Sequence, residues 1–184
     1  MIKRTVCVLA ALLLCVCGEP TSTFVHAGRA KVGSRPGVTV SVTTRTYGGE
    51  YAPANCLGVW IEDADSSFVT SLALYGNVPE YLMWLLTWRI SSGTNILGVS
   101  KEEVDGWTAA SRVDHGTVVE TAWDLRDSNG DPVPPGLYTL YVEMTESNAL
   151  GKTVAVDLPI DGTGRTVTAG ATEGFQSVVA HYIP

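Results

Sequence analysis

Cysteine is almost missing from the body of this 184-residue chain: Cys7, Cys15 and Cys17 crowd the first 17 residues, and only Cys56 lies beyond them. One cysteine closes no internal disulfide, so the rest of the chain must be held by its core. Clusters of Lys and Arg are missing too. With 12 basic against 19 acidic residues the net charge is −7, which argues against nucleic acid or an anionic membrane surface as the partner. Past the N-terminal region no apolar run reaches the roughly 20 residues of a membrane-spanning helix. Histidine is scarce: beyond residue 27 only His115 and His181 occur, and neither has a neighbour at metal-ligand spacing. No G-x-S-x-G, no H-E-x-x-H, no phosphate loop, no repeat and no low-complexity tract is present. The common signatures of hydrolases, metalloproteases and nucleotide-binding enzymes are therefore absent.

What is present begins with a positive–apolar–small pattern. Lys3 and Arg4 precede a nearly unbroken apolar run, Thr5–Val16, and Val25-His26-Ala27 before Gly28 fits an A-x-A-like cleavage site. Residues 1–27 are expected to be a secretory signal peptide, which places the mature protein in the periplasm. Bulky Leu14 and Val16 speak against the alternative of a lipoprotein built on Cys15 or Cys17. Loss of Lys3, Arg4 and Glu19 would take the net charge from −7 to −8. Gly28–Pro36 reads as a flexible lead-in, and 37–184 as one domain of ordinary size, with Cys56 as its only cysteine.

The domain is mostly strand. Gly37–Thr44 alternates Val38, Val40 and Val42 with polar residues, the period of a half-buried strand. Leu57–Glu62 and Phe68–Tyr75 form a hairpin across the turn Asp63–Ser66. Further strands are expected at Thr117–Leu125, Gly136–Glu143, Thr153–Ile160 and Gln176–Tyr182. Between them the period changes. Pro79–Ile90 suits a helix capped by Asn77, with Pro79 in its first turn and Tyr81, Trp84, Leu85 and Trp88 on one face. Those aromatics either pack the helix onto the sheet or wall a ligand. Residues 91–116 carry little strand pattern, and a loop of that length in a compact domain is often functional.

The stretch WDLRDSNGDPVPPGLYTLYVE, 123–143, has its own logic. Trp123 closes a strand, Gly130 permits a turn of positive φ, and Pro132, Pro134 and Pro135 keep the connection extended. Tyr138, Leu140 and Val142 then alternate inward. The segment resembles the W-D-x-x-D-x-x-G-x-x-V-P-x-G-x-Y motif of Ig-like modules similar to that of the flagellar hook-capping protein, which implies an Ig-like antiparallel β-sandwich with one helix-bearing crossover. Asp127, Asn129 and Asp131 also look like the start of a calcium loop, but Tyr138 stands where the bidentate Glu belongs.

A wider resemblance covers most of the domain. VWIEDADSSFVTSLALYG (59–76), YLMWLLTWRISSG (81–93), VDGWTAASR (104–112) and the hairpin above resemble, in order, the predicted periplasmic proteins grouped as domain of unknown function 2271. The resemblance implies export, an Ig-like sandwich and the company of flavin-linked redox proteins.

It also sharpens one heptapeptide, DGWTAAS (105–111). It is similar to the D-x-x-[ST]-G-A-[ST] pattern of proteins that receive FMN from periplasmic transferases. The resemblance makes Ser111 the acceptor hydroxyl, Asp105 and Thr108 its flankers, and Trp107 a surface for the isoalloxazine ring. Ala109 departs from the pattern by adding a Cβ where glycine stands. The other reading is structural: Asp105, Thr108 and Ser111 tighten a loop and Trp107 packs.

Cys56, beside Ala54 and Leu57, reads as a small buried hydrophobe, and the pairs Glu62–Asp63 and Glu102–Glu103 as solvated charge. The expectation is an exported, non-enzymatic accessory or binding module with a protein partner in the cell envelope, beside a flavin-linked or membrane redox system. Two alternatives stand: a small covalent FMN carrier using Ser111, and an envelope enzyme that binds a metal or ligand.

Overall fold

The computed structural model describes residues 35–184, so the expected signal peptide and nearly all of the lead-in lie outside the described residues. The described residues form eight strands: β1 Gly37–Thr44, β2 Cys56–Asp63, β3 Phe68–Tyr75, β4 Val119–Trp123, β5 Gly136–Thr145, β6 Lys152–Ile160, β7 Arg165–Ala169 and β8 Phe175–Ile183. They build two four-stranded sheets with the orders β4-β1-β8-β7 (sheet I) and β3-β2-β5-β6 (sheet II), antiparallel throughout. Val38, Val40 and Val42 from β1 meet Leu57, Val59 and Ile61 from β2 and Leu140 and Val142 from β5 in the core between them.

The order is Ig-like. β1 beside β4, and β3-β2-β5-β6 opposite, reproduce strands B and E facing C′-C-F-G of an immunoglobulin sandwich. β8 lies on β1 where strand A would, and β7 extends that sheet. The 123–143 hairpin carries the corner of the fold. The Trp123 indole N–H donates to the Arg126 carbonyl at 2.8 Å, and the ring meets Tyr138 edge-on with centroids 5.1 Å apart. The Tyr138 hydroxyl reaches back to the Pro134 carbonyl at 2.6 Å, the geometry of a tyrosine corner. Asp127 Oδ1 accepts the backbone N–H groups of Asn129 and Asp131, each at 2.9 Å, so it shapes the turn. β7 is the strand that the sequence pattern does not announce: RTVTA is short, lies at a sheet edge and is only partly buried.

The crossover between β3 and β4 differs from the expected single helix. It contains two short ones, α1 Pro79–Leu82 and α2 Leu86–Ser92, broken at Met83–Leu85, with a 3₁₀ turn at Lys101–Glu103. Val78, not Asn77, is the N-cap of α1, in extended backbone with no side-chain cap. The break has two causes. Leu85 is fully buried over Gly58, where an added Cβ would stand 3.3 Å from its Cδ1. Glu143, reaching out from β5, accepts the N–H groups of Thr87 and Trp88 at 3.2 and 3.0 Å and caps α2 from another element. Arg89 Nη1 donates to the Met83 carbonyl freed at the break, at 2.9 Å.

The buried stripe is therefore Leu82, Leu85 and Trp88, while Tyr81 is 51% exposed and Trp84 half-buried. With Trp60, Leu74, Ile96, Val104 and Trp107 these residues form a second core on the outer face of sheet II. β2 is consequently buried on both faces. Glu62, read above as solvated, is buried and accepts the Trp60 indole N–H at 2.9 Å and the Ser91 hydroxyl at 2.5 Å. Among the described residues no helix is long and apolar enough to cross a membrane.

Candidate functional site: a cleft at one end of sheet II

β2 begins, and β3 and β5 end, at the same edge of the sandwich, and the loops there enclose a cleft. Its volume is about 470 Å³, and its walls come from 51–56, 76–84, 111–113 and 145–148. Aromatic surface is supplied by Tyr51, Tyr81 and Trp84, and polar groups by Asn55, Asn77, Ser111, Arg112 and Asn148. Asn148 Nδ2 donates to the Tyr51 hydroxyl at 2.9 Å and holds that ring.

Residues 111–113 form one wall, and the 104–110 stretch that leads into them is laced to β3. The Leu74 N–H donates to the Gly106 carbonyl at 2.7 Å, and the Thr108 N–H and hydroxyl both donate to the Leu74 carbonyl at 2.9 Å. Gly106 must be glycine for this approach: its φ is +72°, and a Cβ would stand 3.0 Å from the backbone of Ser71–Ala73. Ala109 has φ +52°, the left-handed conformation in which L-alanine is disfavoured by about 1–2 kcal/mol. Ala109→Gly is expected to raise stability by about 1 kcal/mol, read as an increase in the urea midpoint at unchanged slope. An unchanged or lower midpoint would show that the alanine is unstrained.

Buried polar groups brace the walls from behind. Glu146 Oε2 accepts the Thr46 hydroxyl and the N–H groups of Tyr47 and Gly49, at 3.1, 3.0 and 3.1 Å. Its Oε1 lies 2.6 Å from His115 Nε2, and neither atom has a further hydrogen-bond partner. Burial by itself would raise this carboxyl, but the Gly49 and Tyr47 amides, Thr46 and His115 together hold it below the ordinary glutamate range. Arg112 is buried beside them. Its Nε–H donates to Asn55 Oδ1 at 3.0 Å and its Nη2 to Thr44 Oγ1 at 3.2 Å, with the guanidinium carbon 5.6 Å from the centre of the Tyr75 ring. Burial pulls this guanidinium below its ordinary value, with Asp114 and Tyr75 acting in the other direction.

A model of the family described as predicted periplasmic protein (DUF2271) matches residues 37–177. The chain belongs to that family. It is a periplasmic protein, and the match spans all of the sandwich but its final strand residues. No curated protein and no solved structure matches the chain.

Within this DUF2271 domain the heptapeptide residues separate. Ser111 is exposed and lines the cleft. Asp105 is exposed and does not line it. Trp107 is buried in the outer core, its indole N–H donating to the Gly76 carbonyl at 2.5 Å, and Thr108 is spent on Leu74. Three of the four are thus placed apart from Ser111's cleft wall. Arg112 and Glu146 were not legible as site residues, because their burial depends on Asn55, Thr44 and the 46–49 loop, all distant in sequence.

Cys56 is half-buried in the cleft wall, and burial pushes its thiol up to about 11. Iodoacetamide at pH 8 is therefore expected to alkylate it far more slowly than free cysteine, by mass spectrometry. Alkylation at the free-cysteine rate would contradict that environment. Among the described residues no three His, Cys, Asp or Glu side chains gather as a metal site.

Proposed function

We propose that this periplasmic domain is a non-enzymatic accessory module that binds a small ligand in the cleft and works beside a redox partner of the cell envelope. One observation carries the reading: four separate segments converge on a cleft of about 470 Å³, the size of a small-molecule site. Apolar rings and a few polar groups line it. Ser111 is not hydrogen-bonded to a base among the described residues, which favours binding over nucleophilic catalysis. The redox partner is what the family resemblance implies. Export with cleavage before Gly28 belongs to the same proposal.

The test is native mass spectrometry of protein purified from a periplasm, beside Ser111→Trp, which fills the cleft from an exposed position. A retained small molecule, lost in the variant, is expected. A bare polypeptide in both would contradict the ligand reading, and a mass that does not begin at Gly28 would contradict the cleavage.

A second reading makes Ser111 the acceptor for a covalent FMN, so that the module carries electrons. Two observations favour it: Ser111 is exposed in the cleft, and Ala109 adopts the left-handed backbone that the motif's glycine would supply. Co-expression with a periplasmic FMN transferase should add an FMN-sized mass that Ser111→Ala lacks. No added mass in the wild type overturns this reading alone.

A further inference from the structure

Buried charges in folded proteins are ordinarily paired with an opposite charge. Arg112 breaks this rule. It is 7% exposed, and its hydrogen bonds go only to neutral oxygens, those of Asn55 and Thr44. Among the described residues no carboxylate lies within ion-pair distance of it. Its third nitrogen, Nη1, makes no hydrogen bond to the described residues. Arg112 lines the cleft, the open space next to it.

The domain places no carboxylate in contact with Arg112: Asp114 acts on it only from beyond ion-pair distance, is exposed and accepts the Thr117 hydroxyl. Glu146 lines the same cleft, but its Oε2 already accepts three donors and its Oε1 lies against His115. A fixed, partly desolvated guanidinium with a free donor edge matches the planar geometry of a carboxylate or phosphate. Tyr51, Tyr81 and Trp84 on the surrounding walls offer apolar surface to whatever carries that group.

We infer that the cleft takes a small organic anion, a carboxylate or a phosphate, held by the Arg112 guanidinium with its apolar body against Tyr51, Tyr81 and Trp84. This rests on the reading of the cleft as a binding site. It adds the chemical class of the ligand, and it gives the unpaired arginine a role.

Benzoate, phenyl phosphate and the neutral benzamide separate the possibilities by calorimetric titration. At least one of the two anions should bind ten-fold or more tightly than benzamide, and the preferred anion names the acid group. Arg112→Gln should remove that preference. Because Arg112 also ties Asn55 to Thr44, the variant is compared at a temperature where circular dichroism shows it folded. An independent measurement needs no variant: in the wild type the Arg112 Nε–Hε resonance should move with the preferred anion and stay put with benzamide. Equal affinity for all three compounds, or an anion preference that survives in Arg112→Gln, would overturn the inference. So would failure of both anions to bind. Native mass spectrometry with Ser111→Trp judges the cleft separately, so either idea can fail while the other stands.

Discussion

Trp60→Ala is expected to destabilise the domain by about 3–5 kcal/mol, the range for removing a fully buried tryptophan, and to lower the melting temperature by on the order of 10 °C. The outer core depends on this ring. Trp60 is completely buried, stacks on Tyr141 with centroids 5.2 Å apart and planes 12° apart, and donates its indole N–H to Glu62 at 2.9 Å. Leu82, Leu85 and Trp88 of the crossover belong to the same cluster. Truncation leaves a cavity under α1 and α2 and strips a donor from a buried carboxylate. Because Tyr81 and Trp84 sit on that crossover, ligand binding in the cleft should fall with stability. Urea denaturation checks the size of the effect, and a loss below about 1 kcal/mol would mean that the crossover packs loosely on sheet II.

Glu146→Ala is expected to be comparably damaging and to act more directly on the cleft. It would leave two backbone N–H groups, a hydroxyl and His115 without their common acceptor, at a cost of about 3–5 kcal/mol if the pair behaves as other broken buried pairs do. Glu146→Gln keeps an amide oxygen for Tyr47 and Gly49 and should lose less. The pH dependence has a definite sign. The carboxyl is held below its ordinary value in the folded state, so its contribution is present above about 4.5 and is lost as the pH falls from there. The wild type should therefore shed stability in acid more steeply than Glu146→Gln. Parallel curves for the two proteins between pH 6 and 3 would show that the pair contributes nothing.

The sandwich was legible in the sequence because its inner face alternates with period 2, as Val38, Val40 and Val42 do, and because the Trp123–Tyr138 hairpin is a local device. The crossover was legible as helical but not as broken. Its break is set by Gly58 and Glu143, which reach it from β2 and β5. Glu62 was misread for the same reason: an acid on a strand faces solvent unless something covers that face, and the cover comes from residues 82–107. Of the cleft, Ser111 was singled out from its motif, whereas Arg112 beside it gave no signal. Its meaning lies in the lack of a carboxylate within ion-pair distance among the described residues, and that is a property of the folded chain alone.

The most direct measurement of the central claim is amide NMR mapping of the mature domain titrated with an aromatic carboxylate such as benzoate. If the cleft is the working site, saturating shifts should be confined to residues 47–56, 76–84, 111–113 and 145–148, which form or brace its walls. Shifts centred elsewhere, for example on the β6–β7 side of the sandwich, would contradict it, as would an unchanged spectrum at millimolar ligand.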